Sequence, residues 1–206
     1  MPKLPLPPPA ARLAEIGAEE QIVPTGTPLF RILFLGGPYP GSWNRFRHYG
    51  PLQGRFDHHL PPPRLQERGI MYLARHPRTC LAEVFQAKRR IDVATGQPVL
   101  VGFRTARDLR MLDLTGRWPT QAGASTALNS GPRPRAQRWA RAIYPAFPAI
   151  DGLLYGASMA GNAPCLACFE RAADAIPASP EIHRALVDPL LRDLLRRAAL
   201  TLGYSL

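Results

Sequence analysis

Four of the five histidines, His48, His58, His59 and His76, lie between positions 48 and 76, and imidazoles are the usual carriers of acid–base or metal chemistry near neutral pH. Their spacing serves neither task. His58 and His59 are adjacent, so in an extended segment their rings point apart, and no His-x-x-x-His pair converges on a cation from one helix face. Cys165 and Cys168 have no second pair of ligands and lie in an apolar run, which reads as buried strand thiols. The sequence therefore predicts no metal. Five other residues carry side chains suited to a bound molecule. Arg55 offers a planar donor fork for bidentate contact with an anion, where a lysine would not match it. Tyr72 stands in an apolar run, Glu83 supplies a carboxylate, and Ser158 and Asn162 belong to a loop whose small residues let backbone donors approach a ligand closely. Taken singly, each has a plainer reading: a surface arginine among many, a core aromatic with a bonded hydroxyl, a solvated helix glutamate and two turn residues.

Regular elements must bring these residues together. Residues 29–35 read as a buried strand stopped by Gly36-Gly37-Pro38, and the Gly-, Pro-, Arg- and His-rich segment 36–68 reads as a long functional loop. Residues 69–74 predict a strand. A helix follows Pro77, with Thr79 as N-cap and Leu81, Val84, Phe85 and Lys88 at helical spacing. At about 100° per residue, Glu83 falls off the Leu81 stripe, on an edge that can line a cleft. Strands are predicted at 98–104, 109–114, 150–155 and 165–170 and a basic helix at 135–144. Further helices are predicted at 180–187 and from Asp188-Pro189 to about Leu202. A short helix near 11–21 interrupts proline-dense stretches, and residues 1–28 read as an extension that wraps or stays mobile. The sum is a single α+β domain without regular βαβ alternation. No Gly-rich phosphate loop follows a strand, so a Rossmann or P-loop reading is unsupported.

Composition narrows the partners. The 206 residues are 46% hydrophobic and 20% charged, as in globular proteins, and carry a formal charge of +11. Residues 31–90 hold eleven Lys/Arg against three acids and 91–150 hold eight against three, whereas 151–206 hold five against six. Apart from Lys88-Arg89-Arg90 the cations are scattered singly, which describes a generally basic surface and no nucleic-acid-binding arm. Together with the histidines, that charge leaves a nucleic-acid-binding or ribonuclease-type module as the alternative class. Three cysteines are too few for a disulfide framework, and no stretch reads as a secretory signal or membrane span. The expectation is a cytoplasmic protein.

Three ordered segments resemble the RES-domain family: Gly54-Arg55-Phe56-Asp57; Gly69-Ile70-Met71-Tyr72 leading to Leu81-Ala82-Glu83-Val84; and Asp151-Gly152-Leu153-Leu154-Tyr155-Gly156-Ala157-Ser158, followed by Asn162 and an apolar strand. The likeness spans roughly residues 29–172. It departs from the family pattern at Phe56, where tryptophan is common, at Ala74-Arg75, where a Ser-rich turn is usual, and in the additional residues 1–28 and 36–50. The resemblance implies a domain over 29–206 with an ADP-ribosyltransferase-like sheet flanked by helices. It further implies an enzyme that consumes NAD⁺ as substrate, without a cofactor, by cleaving the nicotinamide–ribose bond. The acceptor would be water, phosphate or a protein side chain. Carried over, the catalytic set is Arg55, Tyr72, Glu83 and Ser158, with Arg55, Tyr72, Ser158 and Asn162 binding the dinucleotide. The resemblance also implies a toxin paired with a helix-turn-helix antitoxin; membrane or direct nucleic-acid contact is not expected, and a homo-oligomer is left open.

Overall fold

The computed structural model describes residues 4–37 and 40–206; Pro38 of the predicted turn and residues 1–3 lie outside the described residues. Nine strands form one mixed sheet: β1 (Glu20–Val23), β2 (Pro28–Phe34), β3 (Arg47–Gly50), β4 (Arg64–Ala74), β5 (Pro98–Arg104), β6 (Leu109–Asp113), β7 (Gly152–Gly156), β8 (Pro164–Phe169) and β9 (Ile182–Ala185). Their order is β1-β6-β7-β8-β4-β2-β5-β9, with β3 also on β4. All neighbours are antiparallel except the parallel pair β6 and β7. The helices are α1 (Ala10–Ile16), α2 (Pro77–Phe85), the single turns α3 (Trp118–Gln121) and α4 (Ala127–Ser130), α5 (Arg133–Ala146) and α6 (Arg192–Leu202).

The two-residue period of the strands divides the interior into two cores. Ile70 and Ala74 of β4, Tyr155 of β7, and Cys165, Ala167 and Phe169 of β8 face a core shared with α1, α2, α5 and α6, against which Tyr72 packs. Met71, Leu73, Leu166 and Cys168 face the other. Strands buried on both faces need continuous apolar runs, which is why β2, β5 and β8 were legible as such. Between β2 and β4 the ladder keeps a single pair, Phe30 with Ala74. Here α2 packs against both strands, and the Cys80 thiol donates to the Phe30 carbonyl at 3.1 Å.

Several expectations need correction. Residues 182–185 are not helical but form edge strand β9 on β5, satisfying backbone groups that β5 would otherwise leave open. Thr79 does not cap α2: the helix starts at Pro77 with His76 in the capping position, and Thr79 is buried within it. The presumed loop 36–68 contains β3 and the first residues of β4. The first helix stops at Ile16, and Glu20 and Gln21 belong to β1, which pairs with β6. Leu4 and Leu13 are buried, Trp139 Nε1 donates to Pro5 O at 2.9 Å, and Trp118 Nε1 donates to Gly17 O at 2.7 Å. The described part of the N-terminal segment is thus built into the main core.

Strand β7 starts from a pinned point. Asp151 accepts two hydrogen bonds from Arg107, both 2.8 Å, and one from the Arg110 amide at 2.8 Å. Next to it, a Cβ on Gly152 would lie 2.4 Å from Ala167 O and 2.8 Å from Cys168 Cα. Gly152→Ala should therefore destabilise the fold by about 1–3 kcal/mol. Chemical denaturation would check this, and an unchanged midpoint would contradict the close approach of β7 to β8.

Candidate active site

The turn carrying Arg55 is locked from beneath. Asp57, with no solvent exposure, accepts from Arg47 Nη2 at 2.6 Å, from the Leu52 amide at 2.7 Å and from the Tyr72 hydroxyl at 2.9 Å. The same hydroxyl accepts from the Phe56 amide at 3.0 Å. Burial, then Asp57, pushes the Tyr72 phenol well above its ordinary pKa. It is a neutral structural hydroxyl, and what Tyr72 has left to offer a ligand is its ring. Only glycine fits at 54, where a Cβ would lie 2.2 Å from Asp57 Oδ1 and 2.5 Å from the Tyr72 hydroxyl. Phe56 is fully buried with its ring centroid 4.9 Å from that of Tyr155.

From this turn the Arg55 side chain reaches the Gly131 carbonyl just before α5. Gln137 of α5 returns the contact, its Nε2 donating to Leu52 O at 2.8 Å and Gly54 O at 2.9 Å. Burial and the neighbouring Arg133 lower the Arg55 pKa, while Glu83, Tyr155 and Tyr72 oppose the shift. Glu83 comes from the far side on α2. Burial raises its pKa, against the Met159 amide, Arg55 and Arg133. Arg55, Tyr72 and Glu83 therefore share one electrostatic neighbourhood beside the helix-covered face of the sheet. The loop between β7 and β8 joins them through its backbone, the Met159 amide lying 3.5 Å from Glu83 Oε1. Ser158, the preceding residue, is exposed, as is Asn162. Asn162 has a left-handed backbone, φ 59°, and its side chain lies against Gly156. Neither side chain makes a polar contact with Arg55, Tyr72 or Glu83 among the described residues.

Sequence reasoning missed Tyr155, Gln137 and Arg133, and had Asp57 only as a short polar residue of the motif. For Asp57 a usable signal existed: an acid between an aromatic residue and two histidines in a segment destined for burial needs cations or donors nearby.

The histidines do something other than expected. His58 and His59 are both fully buried, and their ring centroids lie 5.4 Å apart at an interplanar angle of 32°, so the rings do not diverge. His58 stacks on Tyr144 at 4.5 Å, and its Nε2 lies 3.6 Å from Glu170. Glu170 accepts hydrogen bonds from the Tyr144 hydroxyl and from the Gly69 amide, and its pKa falls to about 2 although burial alone would raise it. Among the described residues no group of three or more His, Cys, Asp or Glu is arranged to hold a metal.

Burial lowers the pKa of both imidazoles from 6.5, that of His59 to about 4. Since the unfolded chain binds these protons first, stability should fall as pH drops from about 6.5 towards 4. Denaturant midpoints at pH 7 and pH 5 would measure this: the parent should lose stability, and His58→Phe should lose less. Equal losses would place the acid sensitivity elsewhere. Tyr72→Phe, which leaves the Phe56 amide without its partner, should cost about 1–3 kcal/mol; an unchanged midpoint would count against the Asp57 network.

The geometry can be set beside known proteins. Comparison with curated proteins gives no match. Over 91% of its length the chain superposes on 97% of a chain in the crystal structure of the M. tuberculosis MbcT–MbcA toxin–antitoxin complex, with a TM-score of 0.58 at 17% identity. That likeness is one of fold. The RES domain model matches residues 28–188, taking in the Arg55 turn, Tyr72, Glu83 and the loop of Ser158 and Asn162. The chain belongs to the RES-domain family.

Proposed function

We propose that this RES-domain protein is an enzyme that consumes NAD⁺ by breaking its nicotinamide–ribose bond, and that it is the toxin of a toxin–antitoxin pair. The observation that carries the chemistry is the Glu83 carboxylate, partly withdrawn from water, with the Met159 amide 3.5 Å from its Oε1 and within electrostatic reach of Arg55. Cleavage turns a cationic pyridinium into neutral nicotinamide and moves positive charge onto the ribose, so the transition state resembles an oxocarbenium ion. A preorganised carboxylate in a partly dry site stabilises that charge more than water would. Arg55 binds the diphosphate through its donor fork, away from the developing cation. The Tyr72 ring, fixed through its hydroxyl, stacks on nicotinamide. Ser158 bonds the carboxamide or a ribose hydroxyl, and Asn162 shapes the loop that presents it. The acceptor is water, inorganic phosphate or a protein side chain, and no cofactor enters the reaction.

The toxin role draws on the family and on the toxin–antitoxin complex that shares this fold. The expected partner is an antitoxin with a helix-turn-helix that covers the cleft. The competing nucleic-acid reading loses two of its imidazoles, because His58 and His59 are sealed from solvent. It loses part of its charge as well: Arg104, Arg107, Arg110 and Arg184 each meet a carboxylate within 3.1 Å. No helix among the described residues is long and apolar enough to cross a membrane.

Incubating the purified protein with NAD⁺, with and without phosphate, and identifying products by mass should reveal free nicotinamide and the acceptor. Glu83→Gln, which keeps the shape but not the charge, should slow this loss about 10²–10³-fold; parity with the parent would refute the assignment. Because the ionised form acts and its pKa is raised from 4.5, kcat/KM should fall as pH drops through a value above 4.5, and an acid limb below that would contradict the role. Expressed alone, the parent should arrest growth and Glu83→Gln should not.

A further inference from the structure

We propose that Arg133, the first residue of α5, is a second anion-binding arm of the cleft, taking the phosphate of the substrate's diphosphate that Arg55 does not hold. The assignment deepens the NAD⁺ reading and, for the identity of the anion, rests on it. Its basis is how α5 is docked. Gln137 fastens this helix to the Arg55 turn through Leu52 O and Gly54 O. Residues four apart on a helix share a face, so Arg133 stands on the Gln137 side, one turn nearer the N-terminus. Two residues before it, Gly131 O receives the Arg55 guanidinium. Arg55 is thus held at the start of α5 by its own guanidinium, and Arg133 is brought beside it by the docking of Gln137.

Arg133 is half-buried and has no side-chain hydrogen bond or ion pair among the described residues. Its influence reaches both Arg55 and Glu83. Glu83, whose carboxylate feels both cations, is the group the reaction needs for the ribose. Two guanidiniums held together without their own acid repel each other, and an anion bridging them turns that repulsion into attraction. A diphosphate, with charge on each of two adjacent phosphates and a short bridge between them, fits two forks on one lip. Arg107, beside the start of β7, is by contrast already neutralised by Asp151 and Asp174.

Calorimetric titration with inorganic pyrophosphate, alongside NAD⁺ kinetics, tests the arm in the full chain. Arg133→Ala should weaken pyrophosphate binding and raise KM for NAD⁺, each about ten- to a hundredfold, with kcat little changed. Arg133→Lys, retaining the charge without the fork, should recover part of both. Arg138→Ala, an exposed arginine on the same helix, should alter neither. Equal shifts in the Arg133 and Arg138 variants would reduce the effect to general basicity and overturn the arm, as would unchanged KM and pyrophosphate affinity in Arg133→Ala. If the parent binds pyrophosphate through Arg133 but leaves NAD⁺ intact, the anion arm stands and the NAD⁺ reading falls.

Discussion

The site depends on one buried charge. A carboxylate without solvent exposure is costly unless donors surround it, and Asp57 meets that demand with a guanidinium, an amide and a phenol. Because those donors come from β3, from the approach to the Arg55 turn and from β4, satisfying Asp57 fixes all three relative to one another. The direction of Arg55 and the tilt of the Tyr72 ring follow. Removing a donor would leave this buried carboxylate short of a hydrogen bond or of its counter-charge, so the fold enforces the arrangement. The proposed chemistry would draw on that placement, because the groups would stand ready before charge develops.

A second constraint sets the other wall. Helix α5 packs Ala136, Trp139, Ala140 and Ile143 into the main core, and Trp139 also holds the N-terminal segment through Pro5 O. On the flank of that packed stripe Gln137 is fastened to the Arg55 turn, with Arg133 one turn before it. The candidate site is therefore bordered by β4, by Glu83 of α2 and by the start of α5. The fold's many other cations are not part of it. Arg104, Arg110 and Arg184, for example, meet carboxylates of their own.

How much of this the sequence announced depends on range. Strands with strong apolar runs, such as β2, β5 and β8, and the helix of Trp139 were readable locally, because burial on both faces or on one stripe leaves a periodic trace. Strand β9 was not: its Ile-His-Arg-Ala gains its form from the open edge of β5, which no local pattern records. Thr79 looked like a cap because its type suits one, yet the chain enters α2 through Pro77 and leaves Thr79 buried. In the site, the motif residues were nameable from family likeness. Gln137 and Arg133 were invisible, since their relation to Arg55 spans about 80 positions and exists only once α5 docks. The paired histidines misled for the same reason. Read as extended chain they diverge, but an aromatic wall of Tyr144 and Phe169 gathers His58 against His59.

The central claim is that Arg55, Tyr72 and Glu83 serve one bound dinucleotide. A crystal structure of the Glu83→Gln variant with NAD⁺ tests it most directly. The account predicts the nicotinamide-bearing ribose within about 2.6–3.2 Å of the residue 83 side chain, the nicotinamide ring against Tyr72 and the diphosphate on Arg55. A dinucleotide lodged elsewhere, with Arg55 and residue 83 untouched by it, would contradict it.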